Sequence, residues 1–152
     1  YKVKKDDIKS FDAMLEESQE VIETIKTKHD GFKIGLCGYS AGALITCQIQ
    51  DRFAYMILVY PALALEKFPE YELQNFYGSN WEIYKPKDYQ FKIPTFIWQS
   101  KFDKICKFVD VLEYYKECDE KSSICITTEG SHGCPIPKST LTLMDDFIGY
   151  IK

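Results

Sequence analysis

Histidine is scarce in this chain. Only His29 and His132 carry an imidazole among 152 residues, so chemistry needing a base near neutral pH has two candidates. Excess basic charge is missing as well. Lys and Arg number 19 against 23 Asp and Glu, for a formal net charge of −4. With no basic cluster, the electrostatic footprint of a nucleic-acid-binding surface is excluded. No apolar run approaches the roughly 20 residues of a membrane-spanning helix, and no signal-peptide pattern opens the chain. The six cysteines include no C-x-x-C pair, which with two distant histidines argues against a zinc site. Repeats, low-complexity tracts and linkers are also absent.

What remains is ordinary for a globular domain. Hydrophobic residues make up 45% and charged residues 28%, and the length can bury a real core in one domain. Cys37, Cys47 and Cys125 fall in apolar segments and read as buried free thiols, which behave as small hydrophobes. A Cys118–Cys125 disulfide stays open, but the overall usage points to a reduced, cytoplasmic protein. The chain begins Tyr1-Lys2-Val3, with no initiator methionine and no strand before the first helix, and so reads as a fragment or processed product.

Residues 6–29 have the spacing of an amphipathic helix through Phe11, Met14, Leu15, Ile22 and Ile25. Lys26, Lys28 and His29 close its last turn, and Gly31 serves as a C-terminal stop. His29 is therefore a helix-end cation. A strand over 32–37 follows, then the stretch Gly38-Tyr39-Ser40-Ala41-Gly42, then a helix to about Arg52. The continuous apolar run 54–60, stopped by Pro61, suits a parallel strand covered on both faces. Residues 62–92 are rich in aromatics and turns and read as a short insertion with a broken helix. Pro94–Trp98 is a third strand, followed by a helix presenting Ile105, Phe108, Val109, Leu112 and Tyr115 on one face. Residues 123–128 form a fourth strand. A last helix starts near Ser139 and turns Leu141, Met144, Phe147, Ile148 and Ile151 inward. Alternating strands and helices argue for an α/β fold with a parallel sheet and right-handed crossovers.

Serine with glycine at minus two and plus two, between a buried strand and a helix, is the nucleophile-elbow pattern. In so tight a turn, side chains at both flanking positions are expected to collide with neighbouring backbone. Functional crevices in such sheets lie beyond the carboxyl ends of the strands. The loops leaving the first, third and fourth strands deliver Ser40, Asp103 and His132, in that chain order. A serine hydroxyl needs a base to take its proton as it attacks, and an imidazole can accept that proton and return it to the leaving group. A carboxylate fixes the imidazole tautomer and stabilises the cation. The Ala41 backbone N–H, next after the serine, is the expected oxyanion donor. Asp110 is a second candidate acid, but it falls inside the following helix.

Gly38-Tyr39-Ser40-Ala41-Gly42, Phe96-Ile97-Trp98-Gln99-Ser100 with Asp103, and Gly130-Ser131-His132-Gly133 together resemble the acetyl-esterase branch of the α/β-hydrolases. That branch includes acetylxylan-esterase-like carbohydrate esterases. The resemblance covers nearly the whole chain. It implies the C-terminal half of an α/β-hydrolase catalytic domain, about four strands, over residues 1–152 with the insertion at about 62–92. It implies hydrolysis of short acyl esters, acetylated sugars among them, with no metal or organic cofactor. Ser40 would be nucleophile, His132 base and Asp103 acid. Relatives carry further strands and a His-Gly-Gly type loop ahead of this point, so the resemblance also implies an exposed elbow strand and a half-built oxyanion hole. Two other readings stand beside it. A prolyl-oligopeptidase-like serine peptidase shares this catalytic half, and a non-catalytic fragment would keep the triad residues as relics.

Overall fold

The computed structural model describes residues 11–77 and 91–151. The chain divides into two compact units, residues 1–32 with 65–85, and residues 33–64 with 86–152. Of the first, the described part holds helix α1 (Phe11–Lys28) and helix α3 (Glu70–Tyr77). Basic Lys26 and Lys28 sit in the last turn of α1, as the sequence predicts, where they complement the helix dipole. The first residues of the expected 6–29 helix, and residues 78–90 of the aromatic insertion, lie outside the described residues.

The second unit carries the sheet. Strands β1 (Gly35–Tyr39), β2 (Tyr55–Val59), β3 (Thr95–Ser100) and β4 (Ser123–Thr127) lie side by side in that order, all parallel. Helix α2 (Gly42–Ile49) leads from β1 towards β2, and α4 (Phe108–Tyr115) from β3 towards β4. A sheet that grows in one direction by right-handed crossovers places these two helices on one face. Helix α5 (Lys138–Ile151) covers the other. Met144 and Phe147 of α5 meet Val59, Phe96 and Trp98 in a buried cluster, with Tyr55, Ile57 and Cys125 packed against it. The alternation of strand side chains accounts for this membership, because residues two apart share a face. Each large apolar side chain so buried contributes about 1.5–3 kcal/mol. Trp98 is fully enclosed, and its indole N–H donates to Thr127 Oγ1 at 3.3 Å, so the burial leaves no orphaned donor.

Several boundaries differ from the sequence reading. β1 starts at Gly35 rather than residue 32 and runs through Gly38 into Tyr39, because its pairing with β2 continues to Tyr39↔Val59. Cys37 is exposed, not buried; β1 is an edge strand, paired on one side only among the described residues. Ile105 and Val109 are exposed while Val111 is buried. The turn after Asp103 delays α4 to Phe108 and rotates the expected apolar face. Leu141 is likewise exposed, and the neighbouring Thr140 turns inward instead, its hydroxyl 3.9 Å from Cys125 Sγ.

Candidate active site

Ser40 sits at the sharp corner between β1 and α2. Its backbone is left-handed (φ 49°), an uncommon conformation for a residue with a side chain, and one that concentrates at functional sites. Strand β2, the segment after it and the first turn of α2 hold the corner. The Ser40 N–H donates to the Val59 carbonyl at 2.9 Å, and the Ser40 carbonyl accepts from Ala43 and Ala62 N–H, each at 3.1 Å. Only one flanking glycine is forced by crowding. A Cβ on Gly38 would run into the Thr46 hydroxyl and lie 2.8 Å from Ala43 Cα, whereas one on Gly42 would meet nothing within 4 Å. The expectation that both positions are crowded is thus met at minus two and not at plus two. The reason is local: Gly38 lies inside the sheet under α2, and Gly42 begins the helix facing open space. Ala41 precedes that first helical turn. Its N–H donates to no described residue, as an N-terminal helix amide leaves it.

Asp103 follows β3 and is buried, with 4% of its surface exposed. Its Oδ1 accepts from the backbone N–H of Ile105 at 2.8 Å and Cys106 at 3.0 Å, which folds 103–106 into a tight turn. Its Oδ2 accepts from Gln99 Nε2 at 3.2 Å and lies 2.8 Å from His132 Nδ1. His132 arrives on the loop after β4, between Gly130 and Gly133, both with positive φ. Its other ring nitrogen, Nε2, is 2.9 Å from Ser40 Oγ. A carboxylate only accepts hydrogen bonds, so Nδ1 carries the proton and Nε2 is left to accept from the serine hydroxyl. The three residues read from sequence are therefore joined in one hydrogen-bonded row. Asp110 lies within α4, and the carboxylate at the imidazole is that of Asp103.

Four further residues shape the row, and the sequence reading gave none of them a role. Tyr60 is fully buried, with φ 47°; its ring lies 5.4 Å from the His132 ring and 4.6 Å from that of Trp98. Burial above all pushes its hydroxyl up to about 12. Tyr39 flanks the imidazole from another side at 5.8 Å. Ser100 ties the acid loop to the histidine loop. Its Oγ accepts from Phe102 N–H at 3.1 Å and donates to the Gly130 carbonyl at 2.8 Å. Gln99 is the fourth. The available signal was polarity: Gln99 and Ser100 are uncharged polar residues directly after the apolar run Phe96-Ile97-Trp98.

Asp103, Cys106 and His132 bring three metal-type ligand atoms within 4.8 Å of one another. Burial, then the Asp103 charge, pushes the Cys106 thiol up to about 12, which opposes the thiolate a metal would need. The His132 nitrogen facing the carboxylate is already bonded to it. The cluster is built for hydrogen bonding. A concavity of about 570 Å³ lies elsewhere, beside the start of β4, where Ser122, Ser123 and Ile124 face Leu143 and Tyr150 of α5. It is lined by none of the three site residues. Among the described residues no helix is long and apolar enough to cross a membrane.

No family model and no curated protein matches this chain. Solved structures do. A protein of Agrobacterium vitis superimposes with a TM-score of 0.74 at 14% identity, over 95% of this chain and 69% of that one. An esterase of Pyrococcus furiosus gives 0.72 at 17% identity, over 93% and 63%. An acetyl ester-xyloside bifunctional hydrolase of Caldicellulosiruptor lactoaceticus gives 0.72 at 18% identity, over 94% and 65%. At such identities the likeness is one of fold. The parallel sheet flanked by helices is that of the α/β-hydrolases, and this chain spans 63–69% of the length of those three structures.

Proposed function

We propose that this chain carries the catalytic residues of a serine hydrolase acting on short-chain acyl esters, acetylated carbohydrates being the favoured class. The single observation that supports it is the continuous row from Ser40 Oγ through His132 to Asp103, with contacts of 2.9 and 2.8 Å. Ser40 attacks the acyl carbon while His132 Nε2 takes the hydroxyl proton. The imidazolium formed is held by the buried Asp103 carboxylate and faces the rings of Tyr39 and Tyr60. Collapse of the tetrahedral intermediate passes that proton to the departing alcohol and leaves an acyl-serine, which water cleaves by the same steps in reverse roles. In this scheme the Ala41 N–H, at the positive end of α2, receives the developing oxyanion. No metal or organic cofactor has a step in this scheme. The acetyl preference is supported by the sequence resemblance and by the likeness to the acetyl ester-xyloside bifunctional hydrolase.

The experiment is a chain-length series of p-nitrophenyl esters, followed by acetylated xylo-oligosaccharides, with Ser40→Ala as control. Hydrolysis that falls steeply beyond short acyl groups and vanishes in Ser40→Ala is expected. Turnover of aminoacyl amides in place of esters would move the assignment to the peptidase reading. Turnover that survives Ser40→Ala would reject the nucleophile.

A further inference from the structure

We propose that Gln99 is a positioning residue for the reaction above: its side-chain amide holds the Asp103 carboxylate in the orientation His132 requires. This rests on the serine-hydrolase reading, and its physical basis is a buried polar side chain whose amide reaches the Asp103 carboxylate. Gln99 lies on β3 with none of its surface exposed. Its Nε2 donates to Asp103 Oδ2 at 3.2 Å and to the Cys106 carbonyl, and lies 3.4 Å from the Ser100 carbonyl. Turning the amide over would set its oxygen against three acceptors, so the orientation is fixed. Its Oε1, however, is buried with no hydrogen-bond partner among the described residues. An orphaned carbonyl oxygen in an interior is a cost, and methionine would fill similar space without it.

What the amide supplies in return is control of one carboxylate. Oδ1 is pinned by two backbone N–H groups, which alone leaves Oδ2 held only by the imidazole it must orient. With Gln99 as a second donor on Oδ2, the carboxylate is tied at both oxygens independently of His132. Its plane stays fixed while the imidazole gains and loses a proton. The bond to the Cys106 carbonyl closes the 103–106 turn onto the strand, so strand, turn and carboxylate move as one piece. Gln99 makes no hydrogen bond to Ser40 or His132; it acts through Asp103.

The test uses Gln99→Met and Gln99→Glu in the full chain, with two readouts. The first is kcat and KM for p-nitrophenyl acetate. The second is the low-field NMR resonance of the His132 Nδ1 proton, readily assigned because the chain has only two histidines. For Gln99→Met, kcat is expected to fall about ten- to a hundredfold, the worth of a hydrogen bond to a charged group. KM stays within about twofold, since uniform binding is untouched, the melting temperature falls only modestly for the freed Cys106 carbonyl, and the Nδ1 resonance moves. In Gln99→Glu the introduced carboxyl donates only while protonated, and burial beside Asp103 favours that form. Activity should then persist at low pH and decline as pH rises, over a range where the wild type does not decline. An unchanged kcat and resonance in Gln99→Met would overturn the proposal. So would losses in both variants that track melting temperature at every pH. If Gln99→Met fails to fold, the pH dependence of Gln99→Glu decides. If the wild type hydrolyses nothing yet its Nδ1 resonance moves in Gln99→Met, the positioning role stands and the esterase reading falls.

Discussion

Replacing Asp103 by asparagine tests the row of hydrogen bonds without removing a side chain. Oδ1 accepts from two backbone N–H groups, at 2.8 and 3.0 Å. In Asp103→Asn the amide oxygen must keep that place, because an NH₂ there would face two donors. The NH₂ is thereby forced into the Oδ2 position, against His132 Nδ1. A donor now meets Nδ1, so the imidazole switches tautomer, its proton moves to Nε2, and Nε2 no longer accepts from Ser40 Oγ. Loss by this route in a serine hydrolase is about 10⁴-fold in kcat, or about 5.4 kcal/mol at 1.36 kcal/mol per factor of ten. Folding should survive with a modest loss of stability, because both bonds at Oδ1 remain while the bond from Gln99 Nε2 to Oδ2 is given up. The assay is kcat for a p-nitrophenyl ester alongside thermal unfolding. A variant that keeps activity within about tenfold of wild type would refute the claim that Asp103 sets the tautomer. It would turn attention to Asp110 as the acid.

Other expected outcomes follow from the same geometry. Gly38→Ala presses a methyl into Thr46 and the Ala43 backbone, and should destabilise by about 1–3 kcal/mol in chemical denaturation. Gly42→Ala, with open space at its Cβ, should be neutral or stabilising by up to about 1 kcal/mol; equal losses in both would contradict this account of the elbow. Donation from Ser131 N–H and hydroxyl holds the Cys134 thiol below its usual range. Burial pushes Cys106 and Cys118 up to about 12 and Cys47 upward as well. The thiolate is the reactive form, so iodoacetamide near neutral pH should modify Cys134 well ahead of those three. Peptide mapping that finds Cys106 modified as fast as Cys134 would contradict the assigned environments.

Most of the architecture was legible because it rests on short-range pattern. Apolar runs stopped by Gly or Pro gave the four strands in order, and the loops leaving three of them gave Ser40, Asp103 and His132, which the fold does bring within hydrogen-bonding reach. The misses share a cause, namely interactions whose partners are distant in sequence or are side chains bonding to backbone. The periodicity around Ile105 and Val109 could not register that Asp103 folds 103–106 around its own carboxylate and delays α4. The burial expected of Cys37 rested on its apolar segment alone, and which strand lies at the edge of a sheet is not a local property. Tyr60 looked like the end of an apolar strand. Its contact with His132 joins positions 72 residues apart in the chain, which no spacing rule reaches. Gln99 was quoted only as part of a motif, since the need for its amide appears once Asp103 and Cys106 stand beside it.

The most direct measurement of the central claim is the intact mass of the chain after exposure to a fluorophosphonate, set against Ser40→Ala treated alike. These reagents phosphonylate a serine whose hydroxyl is activated by a neighbouring base. The account predicts a single adduct that maps to Ser40 by peptide sequencing, is absent in Ser40→Ala, and is strongly slowed in Asp103→Asn. A folded wild-type chain that takes up no reagent, or takes it up at a residue other than Ser40, would contradict it.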